Sequence, residues 1–283
     1  MSCLHRIQKQ DKLGELSSMQ TYVFQSSILI LFLYFLFLLL ASYIGSVGYS
    51  LMAMHIPSFH SISRISEWLV TLSVGIIITS IITLVLASYE NLQYLFVGGT
   101  DDVLYEIDSV VGSISSIIEF IVIIIALYWF YKANKNIHSF GAKEISSPIM
   151  TVIWWFVPIL QLWKPYKIAQ QIWKGSNPET GLSTGTEWKN LPSSNIIKSW
   201  WILGILPLLI VSIFVFYAIM NVGTNYSDLE QAGQKLAESK EMLFYTNFGS
   251  MLSSGLVIAS TIFFIRMVKQ ISLWQEIKSG RSI

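Results

Sequence analysis

Charge is scarce in this chain. Asp, Glu, Lys and Arg make up 12% of its 283 residues, about half the share of an average soluble domain, so water is not the main solvent of the fold. Cysteine is scarcer still. Cys3 stands alone, which excludes an intrachain disulfide and any cysteine-based metal cluster. Neither sign of charge dominates: 18 Lys plus Arg face 17 Asp plus Glu, a net +1. No basic or acidic excess therefore points to nucleic acid or to an acidic substrate. The four histidines, His5, His55, His60 and His138, lie in separate stretches with no H-E-x-x-H spacing, and neither G-x-S-x-G nor G-x-x-x-x-G-K-[ST] occurs. The residues thus give no signal for a metal, a cofactor or an enzyme active site.

What the chain has in abundance is apolar sequence: 53% hydrophobic residues and a mean hydropathy of +0.57. These residues come in long uncharged runs, a pattern that faces lipid. Runs near 24–45, 68–88, 109–131, 199–220 and 244–265 hold no Asp, Glu, Lys or Arg except Glu119. Each is long enough for a helix to cross a hydrocarbon core, which takes about 20 residues. A sixth run, 145–163, is shorter and carries Pro148 and Pro158. The reading is an all-α, polytopic membrane bundle of five or six spans. Residues 1–60 form a polar tail and an extra membrane helix, 61–270 the multi-span domain, and 271–283 a tail. The first run reads as an uncleaved anchor, because no A-x-A cleavage site follows its apolar core; Met19 is an alternative start.

Orientation follows from the Lys and Arg near helix ends, which favour the cytoplasm. Residues 89–108 carry Glu90, Asp101, Asp102, Glu106 and Asp108 and no basic residue. Residues 132–147 carry Lys132, Lys135 and Lys143; residues 164–198 carry five lysines; the C-terminal segment carries Arg266, Lys269, Lys278 and Arg281. The three basic segments, and so the C-terminus, are expected on the cytoplasmic side, with 145–163 re-entering or lying along the membrane rather than crossing it. A faint repeat supports this. The pair 68–88 and 109–131 resembles the pair 199–220 and 244–265, with Asp101 and Asp102 before one second helix and a capping box from Ser227 to Glu230 before the other.

Trp154-Trp155-Phe156-Val157-Pro158, continuing to Trp163-Lys164-Pro165-Tyr166, is the most distinctive stretch. Tryptophan favours the headgroup level, and a proline break at depth requires protein or a wet cavity beside it. An interfacial anchor and the re-entrant wall of a pore or binding cavity are the two readings. After Pro165, which suits a first helical position, Tyr166, Ala169, Ile172 and Trp173 fall on one face and Lys167, Gln170, Gln171 and Lys174 on the other, as in an interfacial amphipathic helix. Glu119 lies centrally in its span, where a charge costs about 2.5–3.5 kcal/mol. It is expected to turn inward, either satisfied by Ser115, Ser116 or another helix, or serving as a proton or cation site. Gly112 with Ser116, and Gly255 with Ala259, form small faces expected to admit close helix contacts.

The ordered series Tyr131 to Asn136, Trp154 to Tyr166, Gln171-Ile172-Trp173 and Ser199-Trp200-Trp201 resembles domain-of-unknown-function family 4328 of bacterial membrane proteins. The shared pattern is an aromatic helix end with a basic, Asn-bearing turn (Asn134, Asn136), then W-F-V-P-x-x-x-L-W-x-P-Y, an amphipathic helix and a Trp pair. The resemblance covers about 65–269. Residues 1–60 depart from it, and Glu119 is no part of its motif. It implies a bacterial inner-membrane location with no assigned activity. Two functions compete on this basis. One is a non-catalytic membrane protein acting through lipid, a protein partner or its own copies. The other is a small transporter or channel using Glu119.

Overall fold

A computed structural model of the chain describes residues 58–96, 102–180, 185–223 and 240–280, all within the unit Ile56–Ile283. The run 24–45, the Met19 start, Asp101 and the capping box at Ser227 lie outside these residues. Helix α1 covers Ser63–Phe96, α2 Asp102–Ser139, α3 Pro148–Ile153, α4 Lys164–Ser176, α5 Asn195–Gly223 and α6 Lys240–Lys278. Short 3-10 turns at Leu160–Leu162, Pro178–Thr180 and Glu187–Asn190 join them, and no strand occurs among the described residues. Parts of α1, α2 and α6 are long and apolar enough to cross a membrane: Ser63–Gln93, Glu106–Ser139 and Asn247–Lys278. A shorter apolar stretch, Asn195–Ile210, opens α5.

The helices overrun the hydrophobic runs that nucleate them. At 1.5 Å per residue, the 38 residues of α2 extend roughly 57 Å, against about 30 Å of hydrocarbon. Lys132 to Asn136, expected as a turn, are its last helical turns. The helix stops where Gly141 takes a φ of 88°. The Gly141 N–H then bonds the His138 carbonyl, and the Ala142 N–H bonds the Ile137 carbonyl, the paired bonds of a Schellman cap. Residues 271–278, expected as a tail, are the last turns of α6, and Ile271, Gln275 and Lys278 there are buried.

Helix α6 lies between α1 and α5 and packs on both, while α2 runs along α1. In 145–163 the sequence makes a short piece of helix. Ser147 caps α3 through its Oγ, which accepts from Met150 N–H, and Pro148 occupies the first turn. Six residues give about 9 Å of helix. The chain then turns at Trp154–Pro158, and Ile159, with φ 67° and ψ −53°, is the centre of a γ-turn in which the Leu160 N–H bonds the Pro158 carbonyl at 2.7 Å, a positive-φ conformation that a β-branched residue avoids. Close helix approach occurs at glycines other than those expected. A Cβ on Gly175 would stand 3.3 Å from Ile137, and one on Gly204 3.2 Å from Ser260 Oγ, whereas Gly112 and Gly255 have open space.

Candidate functional site

The motif residues converge on the end of the bundle where α2 and α6 finish and α4 crosses between them. Asn136 is buried and clamps the chain ahead of α1. Its Oδ1 accepts from His60 N–H at 3.0 Å, and its Nδ2 donates to the His60 carbonyl at 2.8 Å and to Gln275 Oε1 at 2.7 Å. Gln275 in turn donates to the Ala133 carbonyl at 3.0 Å and to Ser176 Oγ at 2.9 Å. One pair of amides thus ties together four parts of the chain with every amide atom in use, the condition under which a buried polar network specifies a structure. Beside it, the Trp129 indole N–H donates to Ser66 Oγ at 2.8 Å, and Ser66 pairs with Ser272.

Lys278 completes this end. Its Nζ donates to the carbonyls of Gly175 (3.0 Å) and Asn177 (3.3 Å) and to Thr180 Oγ1 (2.7 Å). The cation therefore caps the carbonyl end of α4, where the helix dipole favours positive charge. Helix α4 is amphipathic; on its polar side Lys167 is exposed, while the two glutamines meet protein. Gln170 exchanges two bonds with the Ser194 backbone, donating to its carbonyl at 2.9 Å and accepting from its N–H at 2.8 Å. Gln171 Oε1 accepts from Ser146 N–H at 3.3 Å, and Trp173 packs edge-on against Trp274 at 4.6 Å. The amphipathic helix expected after Pro165 is a bracket built into the bundle, with Ile168, Ala169, Gln170 and Ile172 all buried.

Trp155 joins a nest of rings: Phe130 at 5.6 Å, Trp201 at 5.8 Å and Trp200 at 6.3 Å, with Phe264 against Trp200. Trp154 lies under Lys164 Nζ at 4.9 Å. Pro165 is buried in the first turn of α4, and the Tyr166 hydroxyl accepts from Gln170 Nε2 at 3.4 Å. The turn after Pro158 points its apolar side chains outward: Ile159 is 69% exposed, Leu162 49% and Trp163 38%. The Trp201 indole N–H holds this turn by donating to the Leu162 carbonyl at 2.9 Å.

Between the ring nest and the middle of the bundle lies a cavity of about 400 Å³, lined by Ser73, Ile76, Val122, Phe130, Trp155 and Thr261 among others. Ser73 and Trp155 each bury a polar atom, Oγ and Nε1, that has no hydrogen-bond partner, and both amide atoms of the fully buried Asn134 are likewise unpartnered. Each such group costs about 1–3 kcal/mol.

Glu119 is not in this assembly. It lies on the exposed outer side of α2 and accepts from Ser115 Oγ at 3.2 Å, while Ser115 also pairs with Thr79 Oγ1 at 3.1 Å. Ser116 bonds back to the Gly112 carbonyl and does not reach it. Glu119 thus has the expected Ser115 partner but meets it on the exposed side of α2, not turned inward, and neighbouring Ile117 and Phe120 are exposed with it. No group of three or more His, Cys, Asp or Glu suited to a metal occurs among the described residues.

Sequence reasoning missed Ser66, Ser272, Gln275 and Lys278. The available signal was the three-residue spacing of Ser272, Gln275 and Lys278, which places them on one face of the helix. No curated protein and no solved structure matches the chain. The family model for a domain of unknown function, DUF4328, matches residues 102–272, from the start of α2 rather than from 65, and so leaves α1 outside it. That match takes in Asn136, Trp155, α4 and Trp200 and more than half of the chain, which therefore belongs to the DUF4328 family.

Proposed function

We propose that this is a multi-pass protein of the bacterial inner membrane, of five or six spans, that works through contact with the lipid bilayer and not through catalysis. The C-terminus and the α4 bracket lie on the cytoplasmic side, and the segment 145–163 dips into that leaflet without crossing. The observation that carries this reading is the turn Ile159–Trp163. Three large apolar side chains are held outward on a backbone whose strained γ-turn at Ile159 costs about 1–3 kcal/mol. Water gives no return on such an arrangement, whereas the interfacial region of a bilayer does.

A nitroxide at Leu162 in the reconstituted full chain tests it. Collisions with oxygen should exceed those with a water-soluble nickel chelate at Leu162 and fall short of them at a nitroxide on Lys189. A nickel-dominated signal at Leu162 would end the reading.

The competing function, a small solute or ion transporter, draws on the hydrogen-bonded series Thr79, Ser115, Glu119. It requires liposome flux that falls on Glu119→Gln. Equal flux from variant and parent would remove Glu119 from any such path.

A further inference from the structure

We propose that the groove between α1 and α6 that holds Glu67 and Lys269 binds the headgroup of a phosphatidylethanolamine, its ammonium on Glu67 and its phosphate on Lys269. This deepens the bilayer reading given above, on which it rests, and is independent of the turn at Ile159.

The groove has a volume of about 390 Å³, and every lining residue except Val70 carries a charge or a hydroxyl. Glu67 and Lys269 are both exposed, and neither takes part in an ion pair among the described residues. Two opposite charges thus share one concavity without neutralising each other, an arrangement complementary to a ligand that carries both signs.

The hydroxyls decide which kind of cation it takes. Each has one hydrogen to give, and all are spent within the protein. Ser66 gives its own to the Ile62 carbonyl at 2.9 Å, so its bond with Ser272 uses the Ser272 hydrogen. Ser61 gives its own to Glu276 Oε1, so its 3.0 Å bond with Ser63 uses the Ser63 hydrogen. Thr71 gives its own to the Glu67 carbonyl at 2.9 Å. Ser63, Thr71 and Ser272 therefore have only lone pairs left for a ligand, and Lys269 is the one side-chain donor among the lining residues. A primary ammonium, with three N–H groups, suits the accepting wall, and a phosphate oxygen suits the lysine. A choline headgroup has no N–H to give, and a glycerol headgroup has no cation.

The order of the charges matches a lipid standing in a leaflet. The Ser66–Ser272 and Ser61–Glu276 bonds set α1 and α6 antiparallel. Lys269 therefore lies toward the apolar run of α6 and Glu276 toward the end of the bundle, roughly 10 Å apart along the helix. Glu67, one residue past Ser66, stands between them. In a phosphatidylethanolamine the phosphate adjoins the glycerol and the ammonium extends toward water, the same order. Trp68, next to Glu67 and 60% exposed, marks the headgroup level.

The test is native mass spectrometry of the full chain in detergent, offered phosphatidylethanolamine, phosphatidylcholine and phosphatidylglycerol of identical acyl chains at equal concentration. One phosphatidylethanolamine should be retained about tenfold more than either of the others. Glu67→Gln and Lys269→Met should each lower that retention about three- to tenfold. Both side chains are exposed, so neither change should move the thermal midpoint.

Equal retention of the three lipids, phosphatidylglycerol held best, or a preference that survives both substitutions would overturn the inference and leave the bilayer reading intact. Displacement of the bound lipid by an equal concentration of glycerophosphoethanolamine would make the ligand a soluble zwitterion and overturn the lipid assignment. No retained lipid together with a nickel-dominated signal at Leu162 would overturn both readings.

Discussion

The two parts of α2 live in different surroundings. From Val103 to Ile124 its side chains are largely exposed, including Val110, Ile117 and Phe120; from Trp129 onward Trp129, Phe130, Ala133, Asn134, Asn136 and Ile137 are all buried. In water the first part would be a defect. In a bilayer, an apolar face toward lipid loses nothing, because lipid tails are as apolar as leucine and no hydrophobic force drives helices together. What fixes the structure is then the part where polar groups must find one another. Here that part is the knot of Asn136, Gln275, Ser176 and Lys278.

This contrast fixes the order of expected effects. Asn136→Leu leaves the buried Gln275 Oε1 and the part-buried His60 N–H and carbonyl without their partner, and at about 1–3 kcal/mol for a buried group left alone and less for the part-buried ones should cost about 3 kcal/mol. Thermal unfolding in detergent micelles should show it as the largest drop of the set, and an unchanged midpoint would break the comparison. Lys278→Met uncovers the carbonyl end of α4 and should cost about 1–3 kcal/mol. Protease sensitivity of the α4 region, normalised to the parent chain, would report it. Gly175→Ala pushes a methyl to 3.3 Å from Ile137, a crowded contact expected to cost about 1–3 kcal/mol where the helices cannot part.

Ile159→Gly should act in the opposite direction. Relief of the strained positive-φ backbone is expected to stabilise by about 1 kcal/mol, and the midpoint should rise slightly while the apolar turn loses its outward contact. Glu119→Gln, on the lipid-facing part, should change the midpoint least. A loss as large as that of Asn136→Leu would show that the outer face is as specified as the knot.

The sequence made the membrane character and the positions of 68–88, 109–131 and 244–265 legible, because uncharged runs report the solvent that a helix meets. It did not make the helix ends legible. Lys132 to Asn136 and Lys269 to Lys278 are polar, so they read as loop and tail, although they continue α2 and α6. Polar composition there reflects partners within the protein. Those partners are distant in sequence: Asn136 and Gln275 are 139 residues apart, and no local spacing reveals such a pair. The tryptophans were legible as a group and misleading singly. Trp163 is outward, whereas Trp155 is part of a ring nest with Phe130, Trp200 and Trp201, a placement set by helices that approach from elsewhere in the chain. Glu119 stood out because it is a lone carboxylate, yet prominence in sequence gave no indication of which way it faces.

Helix α3 and the turn after it bring the chain back to the end of the bundle from which it left. There the Lys143 N–H bonds the Gly185 carbonyl, and Lys189 pairs with Glu144. Single cysteines at Ser139 and Lys189, with Cys3→Ser, labelled by an impermeant maleimide in intact and in opened cells, test this directly. The structure predicts that both positions label from the same side, and the proposed orientation makes that side the cytoplasm. Labelling from opposite sides would mean that 145–163 crosses the membrane, and would contradict the knot as described.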